Sequence, residues 1–278
     1  MCSPFQRLLT IVAACASVAV FCVPLASAQS RLEAHYTASL SGLPVGKGTW
    51  SVEIDDVNYS ATASGATTGL IRVFTGGQGS SSSRGTFPGS SIYSASIKTT
   101  SKADKIDVVF LNGAVKDVRV DPPTDPDPER VPLTDAMRQG VVDPMASALV
   151  RMPATGDLVS SEACQRTASV FDGRLRYDLK LAYKRMDKVK PDKGYVGPVV
   201  VCSVYFTAVG GHVPTRAAVK YLSQMRDMEV WLAPISGTRV LAPFRFQVPT
   251  PVGHGVLEAD EFVVVALPPK PAKSAKTQ

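Results

Sequence analysis

Cysteine, histidine and clustered acidic side chains are where chemistry could reside in this sequence, and their spacing leaves little of it standing. Cys2, Cys15 and Cys22 fall within an N-terminal leader, so the chain beyond it holds Cys164 and Cys202 alone. In an oxidising compartment each has only the other as an intramolecular partner, which predicts one disulfide and removes the obvious thiol nucleophiles. His35, His212 and His254 lie far apart with no H-x-x-x-H or H-E-x-x-H neighbour, so a zinc site has no local support. No G-x-S-x-G elbow occurs. Asp172 and Asp178 could serve as a carboxylate pair for glycan cleavage. Asp172 reads more simply as a turn residue, and Asp178 as a solvent-side strand residue paired with Arg or Lys across a sheet. No metal or cofactor is implied, and no residue is assigned a catalytic role.

Two further segments invite a ligand and then lose it. Residues 76–85, G-G-Q-G-S-S-S-S-R-G, suggest a phosphate cradle, but the spacing is not G-x-x-x-x-G-K-[ST] and no lysine follows. A flexible loop or a weak edge strand of small residues is expected there, one able to open around a ligand. Residues 121–130, D-P-P-T-D-P-D-P-E-R, gather acids without the D-x-[DN]-x-[DN]-G order of a calcium loop, and their prolines restrict convergence. A solvated polyproline-like linker is expected.

The elements that would position any site begin after the leader. One basic residue, an apolar run over 8–23 and the small-x-small triplet Ala26-Ser27-Ala28 predict a signal peptide cleaved after Ala28 and a periplasmic protein. The run is about sixteen residues, short of the ~20 that a spanning helix needs, so an integral membrane protein is not expected. Val12-Ala13-Ala14-Cys15 loosely resembles a lipoprotein box but has too little apolar sequence before it. The net charge of +6 dissolves on inspection: Arg7, Lys270, Lys273 and Lys276 lie in the leader and tail, leaving 26 basic against 24 acidic residues in the body. Such a body lacks the basic footprint of a nucleic-acid binder.

Residues 29–267 are expected to form a single β-rich domain. Its N-half, 29–120, reads as hairpins: Ala34, Tyr36, Ala38 and Leu40 alternate with His35, Thr37, Ser39 and Ser41, a turn is expected over 42–46, and Asn112-Gly113 is a two-residue hairpin turn. Residues 121–150 carry the linker and two short helices, one capped by Thr134 and one with Asp143 as N-cap and Pro144 at N1. The C-half, 151–267, returns to strands over 164–171, 175–184, 199–208, 229–233, 239–248 and 256–267. Asp172-Gly173 is expected to make a two-residue type I′ turn. The tail, 268–278, is Pro/Ala/Lys-rich and expected to be disordered. The fold class is therefore mainly β: a large curved antiparallel sheet, open or spiral and barrel-like, with one or two short helices near the middle.

Residues 40–46 (L-S-G-L-P-V-G), 74–77 (F-T-G-G), 171–179 (F-D-G-R-L-R-Y-D-L) and 229–234 (E-V-W-L-A-P) resemble the exported family known as domain of unknown function 3108, over nearly all of the mature chain. That resemblance carries no catalytic residue across. In architecture alone the sequence is also similar to unclosed envelope barrels, namely the lipoprotein-carrier fold and spiral-sheet envelope-integrity proteins. From this comes the expectation of a non-enzymatic periplasmic protein of the cell envelope that binds a lipid or lipoprotein segment, or scaffolds envelope proteins. The alternative is an envelope hydrolase acting on glycan or peptide through an acid pair or a His212-centred site. The residues expected to line an apolar ligand groove are Tyr177, Tyr183, Tyr205, Phe206 and Trp231, with Met145 and Leu149 closing one side; Phe244 and Phe246 are further aromatics that could join them.

Overall fold

A computed structural model describes residues 29–68, 77–87 and 89–268. The expected leader, the apolar stretch 69–74 and the tail beyond Pro268 lie outside the described residues. From the N-terminus, β1 (Gln29–Leu40), β2 (Leu43–Ile54), β3 (Asn58–Thr67), β4 (Gln78–Thr86), β5 (Ser90–Lys98), β6 (Ala103–Leu111) and β7 (Ala114–Asp121) form an antiparallel meander. Then come α1 (Pro144–Ala148), β8 (Val150–Arg151), β9 (Thr167–Phe171), β10 (Arg176–Val189), β11 (Lys193–Gly194), β12 (Gly197–Gly210), α2 (Ala217–Gln224), β13 (Met228–Ile235), β14 (Val240–Thr250) and β15 (Gly253–Leu267). β15 pairs with β1, so both halves share one sheet that runs from β7 at one edge to β9 at the other.

Among the described residues no ladder joins β7 to β9, and the sheet is open. Its two edges are nevertheless drawn together. Val141 donates its N–H to Gly113 O beside β7, while Val142 donates to Ser169 O and accepts from Phe171 N on β9. Arg174 reaches Asp104 at 2.8 Å, and a Cβ on Gly173 would come within 2.4 Å of Ile106 Cγ2. Glycine is required at 173 by this close approach and by its φ of +101°.

Period-2 alternation decides which residues enter the core. On β1, Leu32, Ala34 and Tyr36 are buried and Glu33 and His35 exposed. The main core joins them to Val52 and Ile54, to Val108 and Phe110, and to Val201, Trp231, Ala233, Phe244 and Phe262 of the C-half, with Met145 and Leu149 between. A second cluster lies around Cys164, Cys202, Val200, Val230, Leu232 and Leu241, against which Leu222 of α2 and nearby Met225 pack. Within it Cys164 and Cys202 form the expected disulfide, Cα to Cα 5.4 Å, both fully buried.

Several expectations change. Residues 78–86 are neither loop nor edge: β4 pairs along its length with β3 and β5, because ladder bonds come from the backbone and need no large side chains. The first hairpin turns at Ser41-Gly42, φ +50° and +81°, and Gly46 lies inside β2. Asn112-Gly113 turns as expected, with φ +52° and +75°. Asp172 does not take a positive φ; its Oδ1 accepts the N–H groups of Arg174 and Leu175, making a four-residue connection in place of a type I′ turn. Residues 161–164 form a 3-10 turn ahead of β9. Helix α2 was not anticipated: at eight residues it is shorter than the helical windows that periodicity reveals.

Candidate functional site

An open-mouthed, overwhelmingly apolar cavity of about 640 Å³ lies against β2–β5 and α1. Its origin is a matter of register. Gly48 pairs with Gly65, Gly65 with Gly79, and Gly79 with Ile97, so three glycines stand side by side across β2, β3 and β4. The next rank on the same face is Trp50, Ala63, Ser81 and Ala95. A face that holds buried Val52 and Ile54 further along the strand thus becomes bare at the glycine rank. Neither Gly65 nor Gly79 adopts a left-handed φ, and a Cβ would meet nothing closer than 3.4 Å at Gly65 or 3.5 Å at Gly79. The backbone does not require glycine at either position; what glycine provides there is space.

Tyr36, Trp50 and Tyr93 form part of the wall, and Pro144, Met145 and Ala148 present one face of α1 to it. Helix α1 is held by one residue. Asp143 is fully buried; its Oδ1 accepts the N–H groups of Met145 and Ala146, both at 2.9 Å, the N-cap expected from Asp-Pro. Its Oδ2 accepts from the hydroxyls of Tyr59 at 2.9 Å, Ser83 at 3.0 Å and Ser91 at 2.7 Å, which tie the helix to β3, β4 and β5. The carboxylate is satisfied by donors on four elements of the fold, without a cation within ion-pair distance among the described residues.

Burial also governs the tyrosines. Desolvation pushes the Tyr93 phenol up to about 12, with Asp172 and Asp143 adding to it, and raises Tyr36, Tyr59 and Tyr177 further still. A phenol whose folded pKa exceeds its unfolded value near 10 contributes stability that is intact below pH 10 and is lost as pH rises toward the folded pKa. Thermal stability should therefore be flat on this account up to about pH 10 and fall steeply above it. In a spectrophotometric titration at 295 nm, these buried phenols should ionise together with unfolding; smooth ionisation of every tyrosine near pH 10 in the folded protein would contradict this.

The residues singled out from sequence are dispersed. Met145 lines the cavity and Leu149 lies on the opposite side of α1, in the wall of a different cavity. Trp231 is buried between two guanidiniums, Arg185 and Arg245, with ring distances of 5.2 and 4.8 Å, and donates to Asp187 at 2.9 Å. Tyr177 packs on Phe206 at 5.5 Å, Tyr183 is largely solvent-facing, and Tyr205 is half-buried. None of these five lines either cavity. Phe246 touches the first, and Phe244 packs on Phe262 in the core.

The carboxylates named for hydrolysis have structural duties. Asp172 forms the turn described above, and Asp178 accepts from Ser169 across the strand pair and from Arg176 on its own strand, each at 2.8 Å. Among the described residues no group of three or more His, Cys, Asp or Glu is placed to hold a metal ion. Sequence reading missed the glycine rank and Tyr36, Trp50 and Tyr93. The alternation of β1 and β2 was legible, but which glycine faces which was not.

The geometry defines a class: an open, curved antiparallel sheet carrying an apolar cavity roofed by one short capped helix. Residues 33–260 match the family model described as protein of unknown function (DUF3108), and the chain belongs to that family. No curated protein and no solved structure gave a significant match. Among the described residues no helix is long and apolar enough to cross a membrane.

Proposed function

We propose that residues 29–267 act as one β-rich domain of an exported, periplasmic protein that binds an apolar chain without catalysis, the acyl chain of a lipid or of a lipoprotein segment. The leader with its Ala26-Ser27-Ala28 site supports export, and membership of the family is consistent with it. One observation carries the binding reading: the in-register glycines Gly48, Gly65 and Gly79 keep clear a space of about 640 Å³ where ordinary side chains would have packed. That volume falls within the range of small-ligand sites, and each methylene buried in it contributes ~0.8 kcal/mol. An envelope-scaffolding role through the outer surface is the form the reading takes if the cavity binds nothing.

Trp50 lines the cavity and supplies the readout. Single-chain lysophosphatidylcholine brominated along its acyl chain should quench tryptophan fluorescence saturably. Gly65→Val and Gly79→Val each put three carbons into the space and should weaken that binding at least about tenfold, while leaving the melting temperature within a few degrees. Quenching that never saturates, or that both variants leave unchanged, would remove the apolar-chain reading.

A further inference from the structure

A second cavity, about 1170 Å³, lies on the other side of α1 and shares no lining residue with the first. Phe87, Phe110, Leu149 and Met152 make much of its wall apolar. Into this wall the fold brings the guanidinium of Arg166, set two residues beyond the disulfide cysteine Cys164 and just ahead of β9. A guanidinium carries five N–H donors. Among the described residues the hydrogen bond of the Arg166 side chain is a long one, Nη1 to Leu149 O at 3.5 Å, and no carboxylate stands within ion-pair distance of it. Three arginines of the neighbouring segment have carboxylate partners instead. Arg174 pairs with Asp104 and Arg176 with Asp178, both at 2.8 Å, and Arg185 pairs with Glu229 at the same distance. Partial burial pushes the Arg166 guanidinium below the ordinary arginine value, while the side chain keeps some exposure to solvent. Partial desolvation of a cation without a carboxylate beside it is unfavourable, and an incoming anion both offsets that cost and gains short charge-assisted bonds.

We infer that this second cavity is a binding site for an anionic amphiphile, an apolar chain ending in a carboxylate or phosphate, and that Arg166 holds the anionic head while Phe87, Phe110, Leu149 and Met152 receive the chain. The chain and the head are both needed. Arg166 alone would attract any anion, and the apolar wall alone would take any hydrophobe. Arg151 adds positive charge at this wall, its guanidinium 5.8 Å from the centre of the Phe87 ring and its Nη2 donating to Asp56 O. Glu162, exposed in the same lining, is the opposing charge and disfavours a head placed on its side of the opening. The site is independent of the first cavity, where the occupant is recognised by its chain.

Calorimetric titration of the mature protein with decanoate, decyl phosphate and decanol tests this directly. Either anion should bind at least about tenfold more tightly than the alcohol, the gain expected of a charge-assisted contact in a partly desolvated site. Whichever of decanoate and decyl phosphate binds more tightly identifies the head. Acetate and inorganic phosphate, heads without chains, should bind at least tenfold more weakly than their decyl counterparts; equal affinity would reduce the site to a plain anion contact and overturn the proposal. Arg166→Gln should abolish the preference for the anion, and Arg166→Lys should retain part of it. An anion preference that survives Arg166→Gln, or no preference in the unaltered protein, overturns the assignment. Should the Gln variant not fold, peptide mapping after phenylglyoxal treatment gives the answer on the unaltered chain: decanoate or decyl phosphate must protect Arg166 from modification, and unprotected Arg166 refutes the site.

Discussion

Asp143→Ala is expected to lower the unfolding free energy by roughly 3–5 kcal/mol, with a fall in melting temperature of about 10 °C or more. The variant removes an acceptor that serves five donors inside the core: the N–H groups of Met145 and Ala146 and the hydroxyls of Tyr59, Ser83 and Ser91. Loss of the cap alone costs about 1 kcal/mol. The larger part comes from stranded hydroxyls, each buried polar group left without a partner costing about 1–3 kcal/mol. Tyr59 lies 2.9 Å from Ser83 and is also within hydrogen-bonding reach of Ser91, so the three hydroxyls can partly satisfy one another, which limits the total. Asp143→Asn keeps one acceptor oxygen and should fall between the two. Urea denaturation measures the difference, and hydrogen exchange over α1 should accelerate before the strands do. An alanine variant within about 1 kcal/mol of the parent would show that the hydroxyl cluster does not anchor the helix.

Cys164→Ser should cost a similar amount, roughly 3–4 kcal/mol, for a different reason. The bond between Cys164 and Cys202 closes a segment with a sequence separation of 38, and on the chain-entropy account a loop of that length restricts the unfolded chain by about this much. The enclosed segment holds the β9–β10 pair, which is the edge of the sheet and has a strand neighbour on one side only. Both sulfurs are buried beside Val200, Val204 and Leu232, so the serine also introduces a hydroxyl into an apolar cluster. Reductant should reproduce most of the loss in the unaltered protein. Equal stability with and without reductant, measured by denaturant midpoint, would show that the link contributes nothing beyond the packing around it.

Much of the architecture was readable in the chain. Alternation along 32–36, the Asn112-Gly113 turn, the Asp143-Pro144 helix start and the pairing of Cys164 with Cys202 all follow from residues that act on their immediate neighbours or from simple elimination. Local signals failed where a side chain had two ways to make the same turn, as at Asp172, and where a strand offered no large side chain to betray it, as in β4. The aromatics of β10, β12 and β13 looked like a groove lining because sequence reports hydrophobicity without saying which face it will occupy.

The candidate sites belong to tertiary structure. Tyr59, Ser83 and Ser91 precede Asp143 by 84, 60 and 52 residues, and no local rule connects a serine in a strand to a helix cap that far away. The glycines at 48, 65 and 79 are unremarkable one by one; only the registers of β2 with β3 and β3 with β4 put them side by side. Sequence by itself determined most of the strands, the buried face at the start of β1 and the covalent link, since strand periodicity, turn preference and the supply of cysteines are properties of short stretches or of composition. Tertiary structure alone decided where the cavities lie and which charged side chains border them. A cavity is a place where side chains from distant strands fail to meet, and the charge at its wall is set by which segments pack there, so both depend on registers and contacts between segments far apart in the chain.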